Sequence, residues 1–492
     1  MKPTEDLHQL IHSMSMSEKR HFKIYAQRHI SSGMNNYIRL FDAIGRQERY
    51  DEAALRKKFA GEPFVKHLAS EKHYLYGQII DSLNLFNREK TFLSRYSNTV
   101  ITVEMLFNRG LFGHCRKMLR KAKKEAYLLE KFSTLLMLVR WETLIFIKDE
   151  DDVALNRSLA EELRILEIIR NQTTLMKHAF NIQIRIDKGN VTPAQIDAME
   201  KELHDSYPSR PEVSSFWTHY YYHSSVGLLS AVRNDQARRY HVFTEIKKLM
   251  DALPQFINEL PGIYHLNMNN LVNVMFYLGK FNEVEGLISQ QRRFLAENNI
   301  KAANLSQLVF INTCESELYL YYKTHRVQAG AATVKKIESS IRKMDLRFSP
   351  MLYDLFFFMG VAELTATNFK GATKWFNKIL NAEGIHLRKE LLINTRLLYQ
   401  LVLFETHDKL FENRLDALRR LLAREKTFPT HAKIAEVLRL LSEGTLSDKK
   451  KALLRKYVVE VRKEQKKIYD QSLNKQFDFS EWINARVGAA LS

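Results

Sequence analysis

NFKGATKWFNKIL, residues 368–380, decides the reading of this chain. It opens on a Gly-containing turn. It then sets Phe369, Ala372, Phe376 and Ile379 at steps of three and four, the spacing that keeps side chains on one side of an α-helix. A bulky residue followed by a small one leaves room for a second helix to pack closely. The question is whether the order recurs.

Working outward, it does. NRGLFGHCRKMLRKA follows Gly110 with Phe112, Cys115, Leu119 and Ala122. LGKFNEVEGLISQ follows Gly279 with Phe281, Val284 and Ile288, and RNDQARRYHVFTEI keeps Phe243 and Ile246 after Gln236. Turn signals without the aromatic occur at 148–155, 187–194, 323–330 and 406–413. The anchors fall near 112, 153, 191, 236, 281, 327, 369 and 410. Spacing in the range of 20 to 50 residues marks stacked repeats. Each interval holds one apolar-periodic segment before its turn and another after it, a pair of antiparallel helices. One such pair cannot bury both faces, so neighbours must stack. The expected class is all-α, with about eight helical hairpins.

Composition agrees. Pro (9) and Gly (17) are scarce in 492 residues, which favours helices joined by short turns. The 45% hydrophobic content supports a folded core. Two cysteines, Cys115 and Cys314, exclude a disulfide framework and a Cys-rich zinc site. The polar start MKPTEDLHQL is unlike a secretory signal, and the apolar stretches are too short or too interrupted for a membrane span. The expected location is cytoplasmic.

The stretch FFFMGVAELTATNFKGATKWFNKIL resembles a tetratricopeptide repeat. Gly360 falls at the small residue of the first helix, Phe369 at the turn aromatic, Ala372 at the small residue of the second helix and Phe376 at the following aromatic. Gly227 sits in the equivalent place of the unit around 236. The match is best around residues 353–386. The units are longer than the family's 34 residues, and most lack its terminal proline. The resemblance implies a right-handed superhelical solenoid over about residues 96–430, whose first helices line a concave surface. Residues 1–95 read as an N-terminal helical region, in which Ser15 and Glu18 form a capping box. Residues 431–492 read as a C-terminal helical cap, in which Ser480 starts a helix laying Trp482, Ile483 and Val487 on the body.

Under that resemblance the polar residues of the first helices face the groove: Asn269 and Asn273, then Asn312, Glu315 and Tyr319, then Arg396 and Tyr399. An amide both donates and accepts, so it can hold an extended peptide backbone. The aromatic runs at 216–229 and 352–360 read as core.

The charge of +19 directs attention to basic faces. One helix carries Arg116, Lys117, Arg120, Lys121, Lys123 and Lys124 opposite Cys115, Leu119 and Ala122. A second run extends from Lys449 to Lys467. Within 1–95, DEAALRKKF and LASEKHYLYGQIIDSL have the order of a helix-turn-helix, but Glu71, Lys72, His73 and Gln78 make a poor recognition face. The His8/His12 and His219/His223 pairs lack the glutamate of a zinc-protease helix. No phosphate loop or nucleophile elbow occurs. The expectation is a non-catalytic scaffold, without cofactor or metal, that binds a protein or peptide partner. The alternative is a nucleic-acid-associated regulator using its basic helix faces.

Overall fold

The computed structural model describes residues 3–27, 36–89, 91–189, 191–300, 302–343, 351–382, 386–425, 429–443, 447–465, 477–479, 481–483 and 486. All regular structure among them is helical. None of these helices is long and apolar enough to cross a membrane. The chain divides into two compact units, residues 1–169 and 170–492.

In the first unit, α1 (Pro3–Ser13), α2 (Met16–Gln27), α3 (Asn36–Gly45), α4 (Glu52–Lys58) and α5 (Leu68–Asn87) gather around Leu7, Ile11, Phe22, Leu40, Ile44 and Ile79. Ser15 and Glu18 form the expected reciprocal cap at α2, with Ser15 N–H donating to Glu18 Oε2 at 2.8 Å and Glu18 N–H to Ser15 Oγ at 3.3 Å. Lys72 of α5 is buried and gives Nζ to Glu52 Oε2 at 2.6 Å and Tyr50 Oη at 2.9 Å. Hydrogen bonds from Lys72 and Arg56 hold the Glu52 carboxyl down to about 2. Lys72 is therefore an internal strut, not part of an outward recognition face. Next come α6 (Phe92–Phe107), α7 (Phe112–Leu128) and α8 (Phe132–Asp149), which pack on one another. Then α9 (Asp152–Asp187) runs as one helix of 36 residues. Two helices were expected between the anchors at 153 and 191. No proline, and no glycine before Gly189, interrupts the apolar periodicity there.

The second unit begins within α9, at Arg170, and continues with α10 (Pro193–Asp205), α11 (Phe216–Val232), α12 (Gln236–Ala252), the short α13 (Pro254–Glu259), α14 (Pro261–Tyr277) and α15 (Phe281–Glu297). It closes with α16 (Ala303–Lys323), α17 (Val327–Lys343), α18 (Met351–Thr365), α19 (Phe369–Leu380), α20 (Lys389–Glu405), α21 (Phe411–Arg424), α22 (Pro429–Ser442) and α23 (Asp448–Gln465). α18 packs on α16, α17, α19 and α20, and α20 on α18, α19, α21 and α22.

One turn recurs through this unit. Asn234, Gly279, His325, Thr367 and His407 take left-handed φ of 57°, 68°, 52°, 56° and 49°. They stand roughly 40 to 46 residues apart. After each, a backbone N–H reaches back five residues: Asp235 to Ser230 O (2.8 Å), Lys280 to Met275 O (3.0 Å), Arg326 to Tyr321 O (2.8 Å), Asn368 to Glu363 O (2.9 Å) and Asp408 to Leu403 O (3.0 Å). This helix-ending motif satisfies carbonyls that would otherwise lack partners and turns the chain into the next helix.

The 368–380 stretch folds as its spacing demands. Ala372, Phe376 and Ile379 are fully buried and Phe369 is half-buried. Asn368 accepts from Gly371 N–H at 3.2 Å to cap α19. A Cβ on Gly360 would lie 2.3 Å from Phe376 Cε1, so only glycine lets α18 and α19 approach this closely. At the C-terminus, Phe477, Phe479 and Ile483 are buried. Tyr322 Oη accepts from Asp478 N–H at 2.5 Å. Glu405 accepts from Trp482 Nε1 at 2.9 Å and takes both Arg486 Nε (2.8 Å) and Nη2 (2.6 Å). Ser480 and Val487 lie outside the described residues.

Candidate functional site

α14 starts on Pro261, whose fixed φ suits a first helical turn. It buries Tyr264, Met268, Leu271, Val272 and Met275. The opposite stripe carries Leu266 and Asn273, both exposed, with Asn269 and Asn270 half-buried between them. Asn269 and Asn273 therefore stand together, and with them Asn270, which the sequence reading passed over.

Leu266 and Asn270 border a cleft of about 350 Å³. Phe180 of α9, Tyr220 and Tyr221 of α11, Phe243 and Arg239 of α12, and Asn267 of α14 also line it, and among the described residues no acidic one does. Arg239 Nη1 donates to Gln236 Oε1 at 2.9 Å, and its guanidinium carbon lies 5.8 Å from the Phe243 ring centre. Its Nε is sealed from solvent, with no hydrogen-bond partner among the described residues. Burial lowers the pKa of this arginine. Asn267 is 3% exposed; its Nδ2 donates to the Phe243 carbonyl at 3.1 Å, and its Oδ1 has no partner among the described residues.

The other first-helix candidates separate. Asn312 is buried and donates Nδ2 to His265 Nε2 at 3.0 Å, tying α16 to α14. Tyr319 packs its ring 4.7 Å from Phe276 and 6.0 Å from Phe358. Glu315 has Oε1 sealed without a partner among the described residues. Burial, and next the charge of Asp354, push its carboxyl well above the ordinary range, against a lesser pull from Arg388. Arg396 is exposed and Tyr399 buried; they meet at a hollow of about 300 Å³ with Gln400 and Arg414, whose guanidinium lies 5.5 Å from the Tyr399 ring centre.

The basic helix α7 sorts its charges. Arg116 pairs with Asp149, and Lys123 with Glu142 and Glu161. Lys117, Arg120, Lys121 and Lys124 are exposed at helical spacing and make no ion pair among the described residues. In the C-terminal run Lys450 pairs with Glu443, while Lys466 and Lys467 lie outside the described residues. His8 Nε2 bonds the Gln47 carbonyl oxygen at 2.8 Å, and His219 bonds Tyr207 and Ser214. Among the described residues no three His, Cys, Asp or Glu side chains are grouped to hold a metal ion.

Arg239, Asn267, Gln400 and Arg414 were missed in the sequence. A signal existed: laid on residues 368–380, Arg239 and Arg414 both stand where Ala372 stands, an arginine at a position that calls for a small residue. No protein-family model matches the chain, and no curated protein does.

Proposed function

We propose that the helical hairpins stack as a tetratricopeptide-like solenoid and that the chain is a non-catalytic scaffold holding a peptide or helix of a partner protein on its first helices. The observation that carries this reading is the open stripe Leu266–Asn269–Asn270–Asn273 on α14. An apolar anchor followed by three amides suits an extended backbone, which needs donors and acceptors at intervals and one pocketed side chain. Peptides selected from a displayed random library against the full chain supply the probe, titrated as a labelled peptide. Leu266→Arg and Asn273→Ala should each weaken binding about tenfold while the melting temperature stays put. Unchanged affinity in both variants rejects the stripe. A large fall in melting temperature for Asn273→Ala makes that residue structural.

A second reading has its own support in the four exposed cations of α7 that make no ion pair among the described residues. A nucleic-acid strand along Lys117, Arg120, Lys121 and Lys124 would displace counterions. The log of the affinity should then fall with a slope of about 3 against log salt for single strands. Charge reversal at Lys117, Lys121 and Lys124 should abolish anisotropy-detected binding of a random oligonucleotide; retained binding rejects this face.

A further inference from the structure

The unit around α12 keeps most of the pattern of residues 368–380. Gly227 matches Gly360, Phe243 matches Phe376 and Ile246 matches Ile379. The close glycine–phenylalanine approach is also kept: a Cβ on Gly227 would lie 3.3 Å from Phe243 Cζ. Two positions of the pattern are replaced, the turn aromatic Phe369 by Gln236 and the small residue Ala372 by Arg239. A methyl that fills a seam has become a guanidinium at the wall of a cleft of about 350 Å³.

That exchange is costly for the fold alone. A guanidinium withdrawn from water needs a counter-charge, and among the described residues none that lines the cleft carries one. Among the described residues Arg239 Nε has no hydrogen-bond partner, and neither has Asn267 Oδ1, an acceptor whose amide is oriented by the bond from Nδ2 to the Phe243 carbonyl. Two buried, unmet groups of opposite hydrogen-bonding sense thus share one cavity. Natural interiors rarely leave such groups unmet, and a bound ligand is one way to meet them. Phe180, Tyr220, Tyr221 and Leu266 give the cleft apolar and aromatic wall, beside the polar side chains of Gln183, Ser224, Ser225 and Asn270. Apolar walls with a few convergent polar groups are the usual make-up of a small-molecule site.

We propose that this cleft binds a small apolar carboxylate that also carries an N–H, the class of the hydrophobic α-amino acids and their N-acyl derivatives. The carboxylate sits on Arg239, the N–H donates to Asn267 Oδ1, and the side chain lies against Phe180 and Tyr220. Inorganic phosphate lacks the apolar body. The site stands whether or not a partner docks on the α14 stripe.

The test is calorimetric titration of the full chain with phenylalanine, N-acetylphenylalanine, N-acetylphenylalaninamide and inorganic phosphate. At least one of the two carboxylates should bind saturably, and the amide and phosphate at least tenfold more weakly. Preference for phenylalanine assigns the site to a free amino acid, and preference for N-acetylphenylalanine to a conjugated one. Arg239→Gln should remove the difference between acid and amide. Equal binding of acid and amide overturns the proposal, as does no binding up to about 10 mM. Full retention in a folded Arg239→Gln protein also overturns it. The acid-against-amide comparison uses the unaltered chain, so it decides even where that variant does not fold.

Discussion

Gly360 shows how one residue sets a helix pair. Phe376 fills the space a Cβ would take, and its ring is fully buried, so it has nowhere to retreat. Gly360→Ala should destabilise the protein by about 1 to 3 kcal/mol, read as a lower urea midpoint at unchanged slope. A change of only a few tenths of a kcal/mol would mean that the ring repacks freely and that glycine is not needed there. Gly227→Ala is the internal comparison. Its nearest contact, 3.3 Å to Phe243 Cζ, is looser, and its cost should be smaller.

Between elements, the polar clasps matter most. His265 with Asn312 joins α14 to α16, and His431 Nε2 donates to Asn394 Oδ1 at 2.7 Å to join α22 to α20. Burial pushes both imidazoles down to about 4. Each folded pKa lies below the unfolded value near 6.5, so the neutral ring is the stabilising form. That stability is present above about pH 6.5 and is lost as pH falls toward 4, by about 3 kcal/mol for each histidine. Glu315 and Asp354 run the other way, since burial raises both carboxyls. The His265→Leu/Asn312→Leu double variant, which leaves no orphaned partner, should therefore flatten the acid limb of a melting-temperature profile between pH 6.5 and 4. An unaltered limb would remove His265 as its source. These clasps also mark the limit of what the sequence told. Period and turn chemistry are local, so α19, its buried face and the starts of α7, α12, α15 and α17 were legible. The Asn312–His265 bond spans 47 residues, and nothing in FINTCESELYLYY distinguishes an amide facing a seam from one facing water. For the same reason Asn269 and Asn273 were readable as a stripe from their spacing, whereas the cleft beside them, built from four helices, was not.

At the scale of the second unit, Asp478, Trp482 and Arg486 make the longest sequence-range hydrogen bonds among the described residues. Asp478 bonds Tyr322 across 156 residues, and Trp482 and Arg486 converge on Glu405. Glu405→Ala would leave the half-buried Trp482 indole N–H without its partner and release the exposed Arg486 to water, and should cost about 1 kcal/mol in thermal or urea unfolding. No loss would show these contacts to be incidental. The link changes how the unit comes apart. A row of hairpins held only by neighbours can fray from its free end, one pair at a time, and proteases enter there first. With Asp478, Trp482 and Arg486 fastened to α16 and α20, α17 to α23 lie inside a loop of chain closed by these contacts. While those contacts hold, these helices should open together rather than singly, which limited proteolysis should read as one cooperative step.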